Sequence, residues 1–399
     1  MTTLTRLPAE YINDPHEVHD LLRAEGPVHE IRMVHGLKVW LVTRHEEAKI
    51  ALTDPRISKN MTVGGYLFEQ HAMPDSDRRE FDVALTAHML NTDPPDHARL
   101  RKLVNKAFTP RRVELLRPRV EEITEELLDA MSGEVDLLES FAFPLPITVI
   151  SELLGIPVDD REAFRDWTTT LLTYGKAEKI AQASASMAQY MYSLVDAKTA
   201  NPGDDFFSAL VQADDSGDRL SRTELVSMAF LLLVAGHETT VNLIGNAVLA
   251  LLRNPDQLEL LKTRPELIAA SAEEFLRYEG PINLATFRYT TEPVEIGGVT
   301  IPANELVMVS LLGANRDGER FSDPHKLDVT RNAGGHLAFG HGIHYCLGAP
   351  LARLEFEVAL KGLLARFPDL ELAGTPEELA WRDSSLIRGL ITLPVRLKA

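Results

Sequence analysis

Cysteine is nearly absent from this chain, since Cys346 is the one thiol in 399 residues. A single cysteine cannot form an internal disulfide, which excludes the disulfide scaffold of small secreted proteins. The sequence also has no CxxC or Cys/His spacing typical of a zinc site. With 45% apolar and 25% charged residues, the composition is that of a globular protein that buries its own core.

Targeting and membrane-spanning signals are missing as well. The N-terminal residues contain no basic segment followed by an apolar one, as a signal peptide requires. The longest apolar run, Leu225 to Gly236, has 12 residues and is too short to span a bilayer. We therefore expect a soluble, cytoplasmic protein that does not associate with membranes.

Positive charge is scarce, because 41 Lys and Arg stand against 59 Asp and Glu for a formal net charge of −18. An acidic surface excludes general nucleic-acid binding, which needs a basic face. Residues 97–119 are the exception, with eight basic residues and one acidic residue, Glu114. This basic stretch is either an ordinary solvated helix face or a surface that attracts an acidic partner.

Apolar periodicity indicates a mostly helical chain. Apolar residues recur at helical spacing through about residues 96–195. The sequence Ser221–Glu224 has the pattern of a capping box, which predicts a helix at about 222–252. That helix is apolar on all sides, so it must pass through the core. Further helices are expected at about 265–278 and 349–367.

The β part is predicted to be minor. Residues 28–42 are rich in β-branched and aromatic residues around a glycine, which predicts a hairpin. Residues 294–301 indicate strand, turn and strand, and residues 306–311 a further strand. Residues 60–90 mix glycine, proline and charge and are expected to form a long irregular loop beside a ligand site. The expected class is mostly α with a minor β part (α+β).

The glycine-rich segment 339–348 surrounds the single cysteine and precedes a predicted helix. Taken alone, Cys346 fits an inert buried thiol. Glycines, however, let the backbone approach a flat ligand closely, and a helix N-terminus stabilises a thiolate. The segment is therefore a candidate ligand-binding loop.

Polar residues interrupt the apolar central helix at 235–240, Ala-Gly-His-Glu-Thr-Thr. Ala235 and Thr239 are four residues apart and share a face, and a threonine hydroxyl that bonds to the carbonyl four residues earlier bends a helix. Polar groups in an apolar interior are unfavourable unless they are used. The motif is either a polar break in a core helix or a site of proton chemistry.

Both motifs resemble those of the cytochrome P450 family. Phe339, Gly342, His344, Cys346 and Gly348 match the haem-binding signature FxxGx(H/R)xCxG, and residues 235–240 match the oxygen-activation motif (A/G)Gx(D/E)T(T/S). The resemblance implies one domain over 1–399, a triangular helical fold with small mixed sheets around a buried haem. It also implies that Cys346 is the axial thiolate ligand of haem b iron.

The resemblance implies further site residues. Glu238 is the acid and Thr239 the alcohol of a proton relay to bound dioxygen, beside Ala235. Haem contacts are implied for the ligand loop and for cationic partners of the propionates: His97, Arg101, Arg288, Phe339, Gly340, His344, Cys346 and Gly348. Glu274 and Arg277 alone form a common helix-surface pair, but they resemble the ExxR motif, a structural ion cluster completed by Arg331.

The resemblance is strongest to soluble bacterial members that tailor macrolides and related polyketides. It implies a monooxygenase that hydroxylates or epoxidises a lipophilic substrate with O2 and with electrons from NAD(P)H through ferredoxin reductase and ferredoxin, acting as a monomer. Apolar residues are expected to line the substrate pocket: Met61, Leu67, Phe68, Leu90, Leu171, Leu172, Leu232, Leu284, Leu386 and Ile387. Basic residues are expected to face the ferredoxin: Arg99, Lys102, Lys106, Arg111 and Arg112.

Other functions remain open at this point. The same haem chemistry could perform oxidative coupling or desaturation of another natural product. A peroxide-driven enzyme or a non-catalytic haem sensor has no need of the proton relay that Glu238 and Thr239 suggest. A haem-free helical scaffold is the remaining alternative.

Overall fold

A computed structural model of the chain describes residues 5–73, 82–215 and 217–398. The helices are α1 (His16–Glu25), α2 (His45–Thr53), α3 (Met61–Gly64), α4 (Tyr66–His71), α5 (Val83–Thr86), α6 (Asp96–Ala107), α7 (Pro110–Glu114), α8 (Arg117–Ala130), α9 (Pro144–Leu154), α10 (Arg161–Leu172), α11 (Ala177–Ala200), α12 (Phe206–Val211), α13 (Arg222–Arg253), α14 (Pro255–Thr263), α15 (Ile268–Glu279), α16 (Leu311–Asn315) and α17 (Ala349–Arg366). The strands are β1 (Thr5–Arg6), β2 (Val28–Arg32), β3 (Lys38–Val42), β4 (Ile57–Ser58), β5 (Glu134–Asp136), β6 (Arg288–Thr290), β7 (Val294–Ile296), β8 (Val299–Ile301), β9 (Leu306–Val309), β10 (Glu371–Leu372) and β11 (Pro394–Arg396). The predicted α+β class with a minor β part is confirmed.

The largest sheet has the strand order β1-β2-β3-β9-β6-β4. Its β2–β3 hairpin, predicted from residues 28–42, pairs Val28 with Val42. Strand β9 runs parallel to β3 and antiparallel to β6, and β6 carries Arg288 between β9 and β4. Two smaller sheets, β10-β11-β5 and the predicted hairpin β7-β8, complete the β part.

The strand predicted at 306–311 ends earlier than expected. The hydroxyl of Ser310 accepts a hydrogen bond from the backbone N–H of Gly313 at 2.9 Å, and α16 begins at the next residue, Leu311. A serine cap of this kind satisfies an otherwise unpaired helix N–H. The cap explains why the chain turns from strand into helix at this point.

The predicted irregular loop at 60–90 is partly helical, and residues 74–81 of it lie outside the described residues. Side-chain caps explain the short helices. The Asn60 side chain accepts from the N–H of Val63 at 3.3 Å and begins α3, while Asp82 accepts from Ala84 at 2.8 Å and begins α5.

Helix α13 runs from Arg222 to Arg253, close to the predicted 222–252. The capping box is present, because the Ser221 hydroxyl accepts from the N–H of Glu224 and the Glu224 carboxylate accepts from the N–H of Ser221. The helix packs against α9, α11, α15 and α17. Within the described residues it is the one helix long and apolar enough to cross a membrane, but 61% of its most apolar window is buried inside the protein.

A buried ion cluster joins α15 to the segment that follows α16. Arg277 donates two hydrogen bonds to the Glu274 carboxylate at 2.7 and 2.8 Å, and both side chains are fully buried. Arg277 also donates to three backbone carbonyls between residues 315 and 326. Arg331 donates to Glu274 at 3.2 Å, so the structure brings together the three residues expected to form this cluster.

Removing one charge from this cluster should destabilise the fold strongly. Replacing Glu274 by Gln leaves Arg277 buried without a counter-charge, which is expected to lower the free energy of unfolding by about 3–5 kcal/mol. Urea unfolding of the purified protein measures the effect. The exposed pair of Glu259 and Lys262, also three residues apart on a helix, supplies the control: Glu259→Gln should leave the unfolding midpoint unchanged. Equal midpoints for both variants would contradict a structural role for the cluster.

Candidate active site

The loop that carries Cys346 is a tight turn set by two glycines. Gly340 and Gly342 have φ values of +73° and +75°, a region that glycine adopts readily and other residues rarely do. A Cβ on Gly342 would also lie 2.7 Å from a methyl carbon of Thr53. The turn closes with a hydrogen bond from the N–H of Cys346 to the carbonyl of Phe339 at 2.9 Å.

Two opposing effects act on the Cys346 thiol. The surrounding protein raises its pKa, while the backbone N–H groups of Gly348 and Ala349 and the charges of Arg101 and Arg353 act to lower it. The raising effect is the larger one. A stable thiolate here therefore needs additional positive charge, which a bound metal ion supplies.

Arg353 fixes the ring of Phe339 beside this loop. Its guanidinium lies 4.6 Å from the centroid of the Phe339 ring and donates to Glu273, which also contacts His336 at 3.0 Å. Burial raises the pKa of Glu273, but His336 and Arg353 outweigh it and hold the pKa at about 2. No local pattern in the sequence predicts these contacts, because Glu273, Arg353 and His336 come from α15, α17 and a loop.

The residues expected to contact propionates lie together next to the cysteine loop. The rings of His97 and His344 are 4.3 Å apart between centroids. Arg101 donates to the carbonyl of Tyr345 at 2.8 Å, and Arg288, on β6, is buried. The structure thus brings four residues from three separate regions of the chain to one place.

This cluster contains more positive than negative charge. Asp93 is the carboxylate that acts on Arg288 and His97, and it already accepts hydrogen bonds from the Ser58 hydroxyl and the N–H of Lys59. Burial together with nearby positive charge lowers the pKa of His344 to about 2, and burial lowers that of Arg288 to about 10. Such values mean that further positive charge is unfavourable here without an added anion.

The chemistry of these residues fits haem. A haem carries two carboxylates, which the cationic cluster would neutralise, and an iron, which the thiol of Cys346 would bind as thiolate. The Nε2 atom of His97 is buried without a hydrogen-bond partner among the described residues, as expected of a group whose partner is a ligand. Lys59, buried in the same cluster, was missed by sequence reasoning because nothing in its neighbourhood marks it.

The polar motif of α13 is held in a defined arrangement. The Thr239 hydroxyl donates to the carbonyl of Ala235 at 3.0 Å, and both residues remain accessible although the helix is buried on either side. Glu238 is buried and accepts a hydrogen bond from Arg382 at 2.7 Å. Burial raises the pKa of Glu238, but Arg382 and His237 outweigh it and lower the pKa below the usual value.

The residues expected to line the substrate pocket fall into two groups. Six are partly accessible: Met61, Phe68, Leu90, Leu172, Leu232 and Leu386. Four are packed as core: Leu67, Leu171, Leu284 and Ile387. Of these four, Leu67, Leu171 and Leu284 pack within clusters of apolar side chains and do not line an open pocket in this structure.

Three residues expected on the ferredoxin-facing surface are instead paired within the protein. Lys102 and Lys106 both contact Asp215, at 2.5 and 2.7 Å. Arg99 pairs with Asp218 at 3.2 Å and with Glu224. Acidic residues just before and at the start of α13 therefore offset part of this positive charge, while the side chains of Lys102 and Lys106 remain exposed and that of Arg99 is half-buried. Arg111 and Arg112, on α7, are exposed.

Comparisons with known proteins all point to one family. The Cytochrome P450 family model matches residues 163–263 and 263–379. Cytochrome P450 107B1 of Saccharopolyspora erythraea is 56% identical over 97% of this chain and 96% of its own length. From the same organism, 6-deoxyerythronolide B hydroxylase is 45% identical, covering 100% of both chains.

A solved structure gives the same result. The P450 monooxygenase TamI with tirandamycin C bound is 51% identical to this chain and superposes with a TM-score of 0.92, over 99% of this chain and 100% of that one. The similarity extends far beyond the short motifs and includes the arrangement of helices and sheets. The chain therefore belongs to the cytochrome P450 family and is a haem-iron monooxygenase that uses O2.

Proposed function

We propose that this monooxygenase hydroxylates or epoxidises a lipophilic secondary metabolite of the macrolide or polyketide kind. One relative, the polyketide biosynthesis cytochrome P450 PksS of Bacillus subtilis, is 42% identical over 97% of this chain, and TamI binds tirandamycin C. The observation that carries the chemistry is the cysteine loop beside a buried cluster with excess positive charge. The partly accessible apolar residues Phe68, Leu90 and Leu232 suit a lipophilic ligand.

In this proposal the cofactor would be haem b, and the thiolate of Cys346 would bind its iron. His97, Arg101, Arg288 and His344 hold the propionates, while Phe339, Gly340 and Gly348 shape the loop around the sulfur. Haem held by a thiolate would supply the activation of O2. The protein's task is to orient the substrate and to control the arrival of protons and electrons.

Proton delivery falls to α13. The hydroxyl of Thr239, now bonded to the carbonyl of Ala235 at 3.0 Å, can exchange that bond for one to a water or ligand on the accessible side of the helix. Arg382 favours the ionised form of the Glu238 carboxylate, so a proton that binds to Glu238 is released again readily. This suits a relay from solvent through Glu238 to Thr239.

The same proposal covers the rest of the molecule. The chain is one domain over 1–399, cytoplasmic and monomeric, and it takes electrons from NAD(P)H through ferredoxin reductase and ferredoxin. The ferredoxin docks near Arg111 and Arg112, next to which Leu115 exposes 73% of its surface. An exposed apolar residue rimmed by charge is typical of a transient docking surface.

Isotope labelling tests the reaction. The purified protein, with ferredoxin, ferredoxin reductase and NADPH, is incubated under 18O2 with a panel of macrolides and linear polyketides. One product is expected to contain a single 18O atom, and the variant Cys346→Ser should form none. A product two hydrogens lighter than its substrate and free of 18O would instead establish desaturation, and a substrate dimer would establish oxidative coupling.

Charge reversal tests the docking surface. The double variant Arg111→Glu, Arg112→Glu is expected to slow reduction by ferredoxin roughly tenfold at low salt, because electrostatic steering is lost. Stopped-flow absorbance under carbon monoxide measures the rate of reduction by ferredoxin. Reduction by dithionite, which needs no ferredoxin, should be equally fast in the variant and in the unchanged protein. The control reverses two arginines elsewhere, Arg264 and Arg396, for the same change in net charge. Equal slowing in both variants would contradict a local docking site.

A further inference from the structure

Lys59 is a buried lysine that forms no ion pair with any of the described residues. It directly follows β4, and its side chain is only 1% exposed. An ammonium group has three donors, yet the acceptor that the described residues offer to Nζ is the neutral hydroxyl of Thr286. Burying a charged group in this way is unfavourable unless something neutralises it.

The nearest carboxylate does not pair with this ammonium group. Asp93 is occupied by the Ser58 hydroxyl and by the backbone N–H of Lys59. Among the described residues, no carboxylate lies within 4 Å of Lys59 Nζ. The ammonium group of Lys59 thus bonds to Thr286 and forms no ion pair with the carboxylate that its own backbone contacts.

Instead, Lys59 lies beside a second buried cation. Arg288 donates to the backbone carbonyl of Thr286 at 2.9 Å, while Lys59 donates to the hydroxyl of the same residue. The two positive charges repel each other, and Asp93 offsets this repulsion only in part. Two cations that both bond to Thr286, as Lys59 and Arg288 do, are expected where an anion binds between or beside them.

The charge of the cluster matches the charge of two carboxylates. Lys59, Arg288 and Arg101 all act on His344, and Asp93 is the acidic group that acts on Lys59 and Arg288. With neutral histidines, the three cations and Asp93 leave a net of two positive charges, which would balance the two negative charges of the haem propionates. Without Lys59, one propionate would be buried without a full counter-charge.

We propose that Lys59 is a haem-propionate contact whose charge raises the reduction potential of the iron. The proposal rests on the haem site proposed above. A nearby positive charge favours the ferrous over the ferric state, because one-electron reduction adds one negative charge to the haem. Lys59 acts on the reaction through this electrostatic effect, as a positioning and charge-compensating residue rather than a relay of protons.

The variant Lys59→Gln tests this role, since it keeps a side chain that can donate to Thr286 and removes the charge. Spectroelectrochemical titration of the holoprotein with dithionite should show the equilibrium constant for reduction falling about tenfold, a midpoint lower by ~59 mV for one electron. Transfer of haem to apomyoglobin should also become roughly tenfold faster, because the charged contact to the propionate is lost. A tenfold change corresponds to about 1.4 kcal/mol.

Two variants serve as controls. Lys59→Arg keeps the charge and should retain the midpoint within a factor of two in the equilibrium constant. Lys361→Met removes an exposed lysine on α17 and should change neither measurement.

The possible failures are distinguishable. If Lys59→Gln keeps the midpoint and the haem-transfer rate of the unchanged protein, the inference is overturned even though the haem site stands. If Lys59→Gln does not accumulate as holoprotein, Lys59→Met carries the same prediction, and an unchanged midpoint in that variant overturns it. If the unchanged protein binds no haem, the proposed function fails first.

Discussion

Buried positive charge that exceeds the buried negative charge beside it is the constraint on which this site depends. The charges of Lys59, Arg288 and Arg101 act on His344, and Asp93 is the carboxylate that opposes Lys59 and Arg288. A protein gains nothing in stability from such an arrangement. Its presence next to the Cys346 loop is explained by a ligand that brings negative charge and a metal, as haem does.

A second buried ion cluster shows the contrast. Glu274 and Arg277 are also fully buried, but every donor of Arg277 that the structure describes reaches Glu274 or a backbone carbonyl. That cluster is complete without a ligand and holds α15 against the segment before Cys346. The fold thus contains one ion cluster that is complete within the protein and one that is not, and the second is the cluster that we propose receives the cofactor.

Local patterns in the sequence were sufficient to predict the main helices and strands and to find the two motifs. The capping box at Ser221 marks the start of α13, and the glycines around Cys346 predict a tight loop. Contacts between distant segments were not readable in this way. Lys59 bonds to Thr286, more than 200 residues away in the sequence, and Lys102 pairs with Asp215. The residues adjacent to Lys59 and Lys102 in the sequence therefore indicate neither the burial of Lys59 nor the ion pair of Lys102. The burial of Leu67 and Leu284 likewise depends on packing between elements.

The most direct test of this account is the absorption spectrum of the reduced protein with carbon monoxide bound. Ligation of haem iron by the Cys346 thiolate predicts a main band at the long wavelength that is typical of thiolate-ligated haem, and the loss of that band in Cys346→Ser. A main band at the shorter wavelength of histidine-ligated haem in the unchanged protein, or a long-wavelength band that persists in the serine variant, would contradict the account.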